Sequence, residues 1–377
     1  LLARCADGEH PRVAYVPASA MKITVVSPTP DMTGGCRVIA IYADWFVRFG
    51  HEVTIVTNRA QAKRGWSPFA FPKRAPSGDP VSHFDRLALQ VRRVGEGRVT
   101  AAQVPDADVV IATWWETAEW VNDFPAGKGR KFYLIQHHEI HPYLPLERVQ
   151  ATYRMPLQKV VIARWLADVM EREYDDATSV LVSNSVDHDQ FFAPPRQRQS
   201  APTVGLLYSG ADWKRFDLSM AVLENIRVRV PGLRVVSFGS ERPKRPMPEF
   251  VSFSFEPRQD ELRNLYASCD VWLTASVSEG FNLTAMEAMA CRTPVVSTRT
   301  GWPAEAIVDG ENGFCVAVDD AAALQQATER VLNLAPNEWA RMSGRAFATV
   351  RESTWERSAR QFEQVLVDGS ALNVHPA

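Results

Sequence analysis

Cysteine is scarce in this 377-residue chain, with five residues at positions 5, 36, 269, 291 and 315. The odd count and the lack of any Cys-x-x-Cys pair argue against a disulfide framework and a thiolate zinc site. Buried free thiols in a reducing cytoplasm are the expectation. Long apolar runs are also missing. No stretch approaches the ~18 apolar residues of a membrane span. The first twenty residues carry Arg4, Asp7, Glu9 and Arg12 and have no apolar signal-peptide core. Excess charge of one sign is missing as well: 42 Lys and Arg face 44 Asp and Glu, for a net charge of −2. Residues 1–190 hold 22 of each sign, so neither half is a polycation and nucleic acid is not expected as the main partner. A short basic patch would not register in that balance, so peripheral membrane contact stays open. Glycine (20) and proline (25) are ordinary, which removes collagenous and low-complexity classes. No repeat is visible at periods of 20 to 50 residues.

The chain does hold a sustained alternation of buried strands and helices. Residues 1–20 are expected to lie outside the fold, as an extension or a start-site artefact, because Met21 opens the first strand pattern, Ile23–Val26. A turn with Pro28, Pro30, Gly34 and Gly35 follows. Val38–Phe49 then reads as an amphipathic helix closed by Gly50, and Glu52–Val56 as the next strand. Residues 59–84 read as a loop. Asp108–Ala112, Lys131–Ile135 and Ser179–Ser183 are further strands, and Pro194 to Pro202 is a linker. The same grammar then restarts. Val204–Tyr208, Leu233–Phe238, Val271–Thr274 and Pro294–Ser297 are strands, with helices over Asp217–Arg229, Glu261–Ser268 and Leu283–Ala290. Strands buried on both faces and alternating with helices mean parallel sheets. The expected architecture is α/β with two Rossmann-like domains, 21–195 and 196–352, and a closing segment 353–377 that packs back on the first domain. Ligands of such sheets bind beyond the carboxyl ends of the strands, so the cleft between domains is the expected site.

Two strand ends carry chemistry. After the first strand, Gly34-Gly35 at a helix start lets a phosphate or sugar approach bare backbone N–H groups, although Gly-x-Gly-x-x-Gly is absent and a nicotinamide oxidoreductase is disfavoured. After Val271–Thr274 comes Ser278-Glu279-Gly280-Phe281-Asn282-Leu283-Thr284-Ala285-Met286-Glu287. Residues 281–284 are a helix N-terminus, suited to a diphosphate, and Glu279 and Glu287 stand on either side to accept bonds from sugar hydroxyls. A capping role for Glu279 and a surface ion pair for Glu287 are the plain structural alternatives.

Glu279-x7-Glu287, followed by Ala288-Met-Ala and Pro294-Val-Val-Ser, resembles the signature of retaining GT-B glycosyltransferases of family four, the glycosyl transferases group 1. Asn184-Ser-Val-Asp187, Glu305-x-Ile-Val-Asp-Gly-Glu-Asn-Gly313 and Trp355-Glu-Arg-Ser-Ala-Arg-Gln-Phe extend the likeness over roughly 21–368. The resemblance implies a GT-B fold. It gives Glu279 the hydroxyls of the donor sugar, Glu287 the nucleotide ribose, and Phe281, Asn282, Leu283 and Thr284 the diphosphate. Lys214 matches the family's lysine on the diphosphate. Ser209 stands where the family has an arginine, and Arg215 is the candidate to supply that charge instead. Gly34 and Gly35 match the loop near diphosphate and acceptor. His137, with His138 beside it, matches a histidine that faces the cleft. Residues 253–258 lie where the family's backbone reads the base. Tyr133-Leu-Ile-Gln136 and the Tyr208–Lys214 loop are similar to a rhamnosyltransferase-like subgroup of surface-polysaccharide assembly.

The implied activity moves a sugar from a nucleotide donor (UDP, GDP or dTDP) to a glycan, lipid-linked or small-molecule acceptor, with retention and with no metal or other cofactor. A cytoplasmic, metal-free transferase is therefore the expectation. A GT-B sugar-nucleotide epimerase and a catalytically silent nucleotide-sugar-binding subunit are the alternatives. Other patterns read as ordinary structure. His137, His138, Glu139 and His141 do not make His-Glu-x-x-His, and Pro142 opposes a helix that would present both rings. Asp106-x-Asp108 and Asp187-His-Asp189 read as strand and turn starts. Trp114, Trp115 and Trp120 are candidates for stacking on an acceptor or for packing. Arg92-Arg93 and Lys73-Arg74 are read as solvated charges rather than lipid contacts.

Overall fold

The computed structural model describes residues 19–58 and 82–369. Cys5, Lys73-Arg74, most of the expected N-terminal extension and most of the expected 59–84 loop lie outside the described residues.

Seven short segments, apolar except for the third, build the first sheet: β1 (Lys22–Ser27), β2 (Glu52–Thr57), β3 (Gln90–Arg93), β4 (Val109–Ala112), β5 (Arg130–Ile135), β6 (Gln158–Val161) and β7 (Val180–Leu181). Their order is β3-β2-β1-β4-β5-β6-β7, parallel throughout. The second sheet holds β8 (Thr203–Leu207), β9 (Arg234–Gly239), β10 (Val251–Phe255), β11 (Val271–Thr274), β12 (Val295–Thr298) and β13 (Gly313–Val316), ordered β10-β9-β8-β11-β12-β13 and also parallel. Valines and isoleucines buried on both faces of β1, β2 and β4 make continuous apolar runs, as helices on both sides require. In each sheet the strand order reverses at one point, between β1 and β4 and between β8 and β11. A ligand crevice opens where strand order reverses.

Differences from the sequence reading are local. The first helix runs Gly34–Arg48, so the glycine pair forms its first turn instead of preceding it. Gln90–Arg93 is a strand although only Val91 in it is apolar. It is an edge strand, paired on one side alone, where polar side chains are tolerated. Residues 253–255 are the end of β10, and only 256–258 form a loop.

The closing helix Trp355–Asp368 crosses back to the first domain. Tyr42 on the helix Gly34–Arg48 meets Trp355 (5.6 Å between ring centres) and Phe362 (5.1 Å), and Phe46 also meets Phe362 (5.4 Å). Beneath these rings, His51 Nε2 and Glu363 Oε1 lie 2.9 Å apart, both buried. Ser185 and Ser358 share a 2.7 Å hydrogen bond, and Val186 pairs with Thr354, so the junction segment and the closing helix hold one another.

Candidate functional site

The strand-to-helix turn after β11 is built as its sequence suggests. Asn282 takes a left-handed conformation (φ 77°) and caps the helix Leu283–Ala290, accepting from the backbone N–H of Ala285 at 3.3 Å. Its amide donates to Thr274 Oγ1 at 3.1 Å, which ties the cap to the end of β11. The backbone N–H groups of Leu283 and Thr284 find no acceptor among the described residues. Such free N–H groups, at the positive end of a helix, are an anion site by construction.

Both carboxylates flanking this turn are interior groups. Glu279 is 8% exposed and Glu287 is 4% exposed, so the surface-pair alternative for Glu287 does not hold. Lys214 Nζ donates to both oxygens of Glu279 at 2.8 Å, and Ser276 Oγ donates to Oε1 at 2.7 Å. Lys214 stands in the short turn Asp212–Lys214 after β8, across the switch point from β11. Glu287 accepts from Tyr266 Oη at 2.7 Å on one oxygen. On the other it accepts from Arg37 Nη1 at 2.6 Å. Arg37 belongs to the first domain, so this ion pair crosses the cleft.

Three more contacts close the cleft. Trp165 Nε1 donates to the carbonyl of Gly280 at 2.9 Å, and its backbone N–H donates to Glu305 Oε1 at 3.0 Å. Ser278 Oγ meets His137 Nε2 at 3.1 Å. At Gly280 a Cβ would stand 1.9 Å from the carbonyl oxygen of Gln136, so only glycine permits this approach of the two domains. Gly34 and Gly35 sit on the same seam, with positions for a Cβ 3.9 Å from Leu283 Cδ1 and 3.6 Å from the Gln136 amide.

His137 is neutral. Burial pushes its pKa down to about 4. Its Nδ1–H donates to the His138 carbonyl at 2.8 Å, which leaves Nε2 to accept from Ser278. Because the folded value lies below the ordinary histidine value, the neutral ring's contribution is complete above about pH 6.5. It declines as the pH falls from there towards 4. The ring resonances of His137 are expected to stay flat from pH 8 to about 5.5 in an NMR titration. A midpoint near 6.5 would show a solvated ring and break the Ser278 contact.

The structure thus gathers Glu279, Glu287, Lys214, His137, Gly34, Gly35 and residues 281–284 on one seam. Arg215 is directed elsewhere: its guanidinium pairs with Asp319 and lies 3.4 Å from Asp217. Ser209 accepts from the Ala211 N–H at 3.2 Å and offers no charge. His138 bonds Tyr174 Oη at 2.7 Å, and the buried Glu139 accepts from Trp115 N at 3.0 Å, so these two face the scaffold. Trp115 and Trp120 are core residues. Asp108 accepts from Lys22 N at 2.7 Å, and Asp106 pairs with Lys128 at 2.8 Å. Sequence reasoning missed Arg37, Ser278 and Trp165. Arg37 and Trp165 have no local motif, and Ser278 heads the Glu279 run without a role readable there; each acquires its role only when the domains meet. A separate cavity of about 550 Å³ lies in the first domain, lined by Thr29, Asn58, Arg98, Glu116, Glu119 and Arg148 among others. It is not at the two carboxylates, where the domains are in contact.

Two facing parallel sheets with this seam make the fold GT-B, the two-domain fold of one large class of glycosyltransferases. Residues 201–334 match the family model of glycosyl transferases group 1, so the second domain carries the features of that family. Among curated relatives, a D-inositol 3-phosphate glycosyltransferase of Corynebacterium aurimucosum is 30% identical over 311 residues, covering 77% of this chain and 63% of the relative. The enzyme of the same name from Corynebacterium diphtheriae is 37% identical over 120 residues, 32% of this chain and 28% of its own length. The chain therefore spans less than two thirds of these relatives. Among solved structures, HepE of Anabaena with UDP-glucose superposes with a TM-score of 0.72 at 14% identity, covering 92% of this chain and all of that one. A sucrose-phosphate synthase from Thermosynechococcus elongatus gives 0.71 at 16% identity, covering 92% and 98%. These superpositions carry the fold.

Proposed function

We propose that this chain is a retaining glycosyltransferase that takes a sugar from a nucleoside-diphosphate donor and needs no metal. The observation that carries the reading is Glu279 held by Lys214 beside the free N–H groups of Leu283 and Thr284, with His137 facing them across the seam. As the glycosidic bond breaks, negative charge grows on the departing diphosphate. Lys214 and the helix start stabilise that charge more than they stabilise the bound donor, which is what lowers the barrier. These protein groups take the role that a divalent cation would otherwise play. Glu279 orients the donor sugar through its hydroxyls. Retention follows if the acceptor attacks from the face that the diphosphate leaves, with the leaving phosphate oxygen taking the acceptor proton. Contact between the domains excludes water and so limits donor hydrolysis.

The closed seam sets a condition on binding. Arg37 and Lys214 already hold the two carboxylates, so a donor enters when the domains part, and its ribose then meets Glu287 in the place of Arg37. A carboxylate has about four acceptor positions, so Tyr266 remains bonded while ribose hydroxyls are added. Glu287→Ala is expected to weaken donor binding by about 10- to 100-fold, the worth of hydrogen bonds to a charged group, with a smaller change in kcat. Titration calorimetry and steady-state kinetics read the two separately.

A uracil base is the first choice because HepE, which shares the fold, was solved with UDP-glucose. The likeness of Tyr133–Gln136 and Tyr208–Lys214 to a rhamnosyltransferase-like subgroup puts dTDP-deoxyhexoses second. The test is a thermal-shift panel of UDP-, GDP- and dTDP-sugars, with and without EDTA, followed by incubation of each binder with the enzyme alone. A donor that raises the midpoint equally in EDTA and stays intact without acceptor supports the reading. Conversion of the donor alone to its epimer would make the chain an isomerase. A binder that is never turned over with any acceptor would make it a binding subunit.

A further inference from the structure

We propose that an aromatic step at the mouth of the cleft seats a neutral sugar unit of the acceptor beyond the one that reacts, so that the acceptor is an extended glycan; this rests on the transferase reading above. The step is formed by Tyr143, His141 and Trp213. Tyr143 lies parallel to His141, with 5.3 Å between ring centres and 4° between planes. It is 67% exposed, so the ring face away from His141 is open to solvent. His141 in turn meets Trp213 at 5.4 Å and His137 at 5.2 Å. Trp213 comes from the second domain and immediately precedes Lys214, the residue that holds Glu279. The row of rings therefore starts beside the reacting centre, crosses between the domains and ends in solvent.

A pyranose ring offers one face of C–H groups that packs on an aromatic face while its hydroxyls stay in water. A tyrosine is suited to this because its ring is large and loses little freedom on binding. The row carries no charge near neutrality, since burial lowers the pKa of His141 and keeps that ring uncharged. Lys214, the neighbouring cation, is engaged by Glu279. The cation next to this row in the chain is therefore already held, whereas a neutral sugar finds an open ring. Two ring-to-ring contacts separate Tyr143 from Trp213, so a sugar on Tyr143 lies outside the one being glycosylated at Glu279.

The test uses the full chain with saturating UDP and saturation-transfer NMR. The probes are methyl glucoside, maltotriose, cellotriose, a mannotriose and a rhamnose trisaccharide. At least one trisaccharide is expected to bind about fivefold more tightly than its monosaccharide, with saturation concentrated on C–H protons. Tyr143→Ala should remove that gain, Tyr143→Phe should retain it, and UDP affinity by calorimetry should stay within about twofold in both variants. Equal trisaccharide binding in Tyr143→Ala, equal affinity for mono- and trisaccharide, or no binding by any probe would overturn the proposal. So would loss of binding to phosphatidylglycerol vesicles in Tyr143→Ala with the saccharide signals intact, because the exposed Ile140 and Leu146 nearby would then mark a lipid contact. Failure of wild-type protein to bind any nucleoside diphosphate would strike the donor reading and not the stacking step.

Discussion

Glu279→Ala is expected to lower kcat by about 10²- to 10³-fold, the range seen when one electrostatic element of a transition-state site is removed. Glu279 is buried, and it bonds both Lys214 and Ser276. Its removal frees the ammonium from its fixed place and takes away the acceptor that orients the donor sugar. The fold should survive, because the carboxylate lies at the seam and the cores of the two sheets are apolar. A circular dichroism melt within a few degrees of wild type, together with the kinetic loss, is the expected pair of results. Unchanged turnover would remove Glu279 from the site.

Gly280→Ala is expected to cost about 100-fold in kcat/KM with little change in nucleotide affinity. A methyl group at this position would stand 1.9 Å from the Gln136 carbonyl oxygen and 3.3 Å from His137 Cδ2. Backbone on the opposing side cannot give way as a flexible side chain can, so the domains must stand further apart. A displacement of about 1 Å at a reacting centre costs on the order of 10² in rate. Donor contacts made by the second domain alone are unaffected, so calorimetry with UDP should change little. Small-angle scattering of the variant should show a more open molecule. A variant with wild-type kinetics would mean that the close approach of Gly280 to Gln136 is not part of the reacting arrangement.

The parts of the fold that follow local rules were legible in the sequence. Strands such as Val271–Thr274 and the helix Leu283–Ala290 coincide with their apolar patterns. The turn between them shows its function in its residues, because an acid, a glycine and a helix start within ten positions form one local unit. Gln90–Arg93 was missed, as an edge strand has only one neighbour to satisfy and can be polar. The helices Trp115–Asn122 and Arg164–Tyr174 were also missed. The seam itself was not legible. Arg37 reaches Glu287 across 250 positions, and His137 reaches Ser278 across 141. Tyr143 and Trp213 look like ordinary loop aromatics until His141 brings them into one row. Arg215 shows the converse: its place next to Lys214 suggested a diphosphate contact, yet Asp319 and Asp217 hold its guanidinium.

The most direct measurement is a crystal structure of the chain with the nucleoside diphosphate selected by the thermal-shift panel. Diphosphate oxygens are expected within about 3 Å of the Leu283 and Thr284 N–H groups and of Lys214 Nζ. Ribose hydroxyls are expected on Glu287, with Arg37 displaced from that carboxylate. A nucleotide bound with its diphosphate away from this helix start, with the Arg37–Glu287 pair intact, would contradict both expectations.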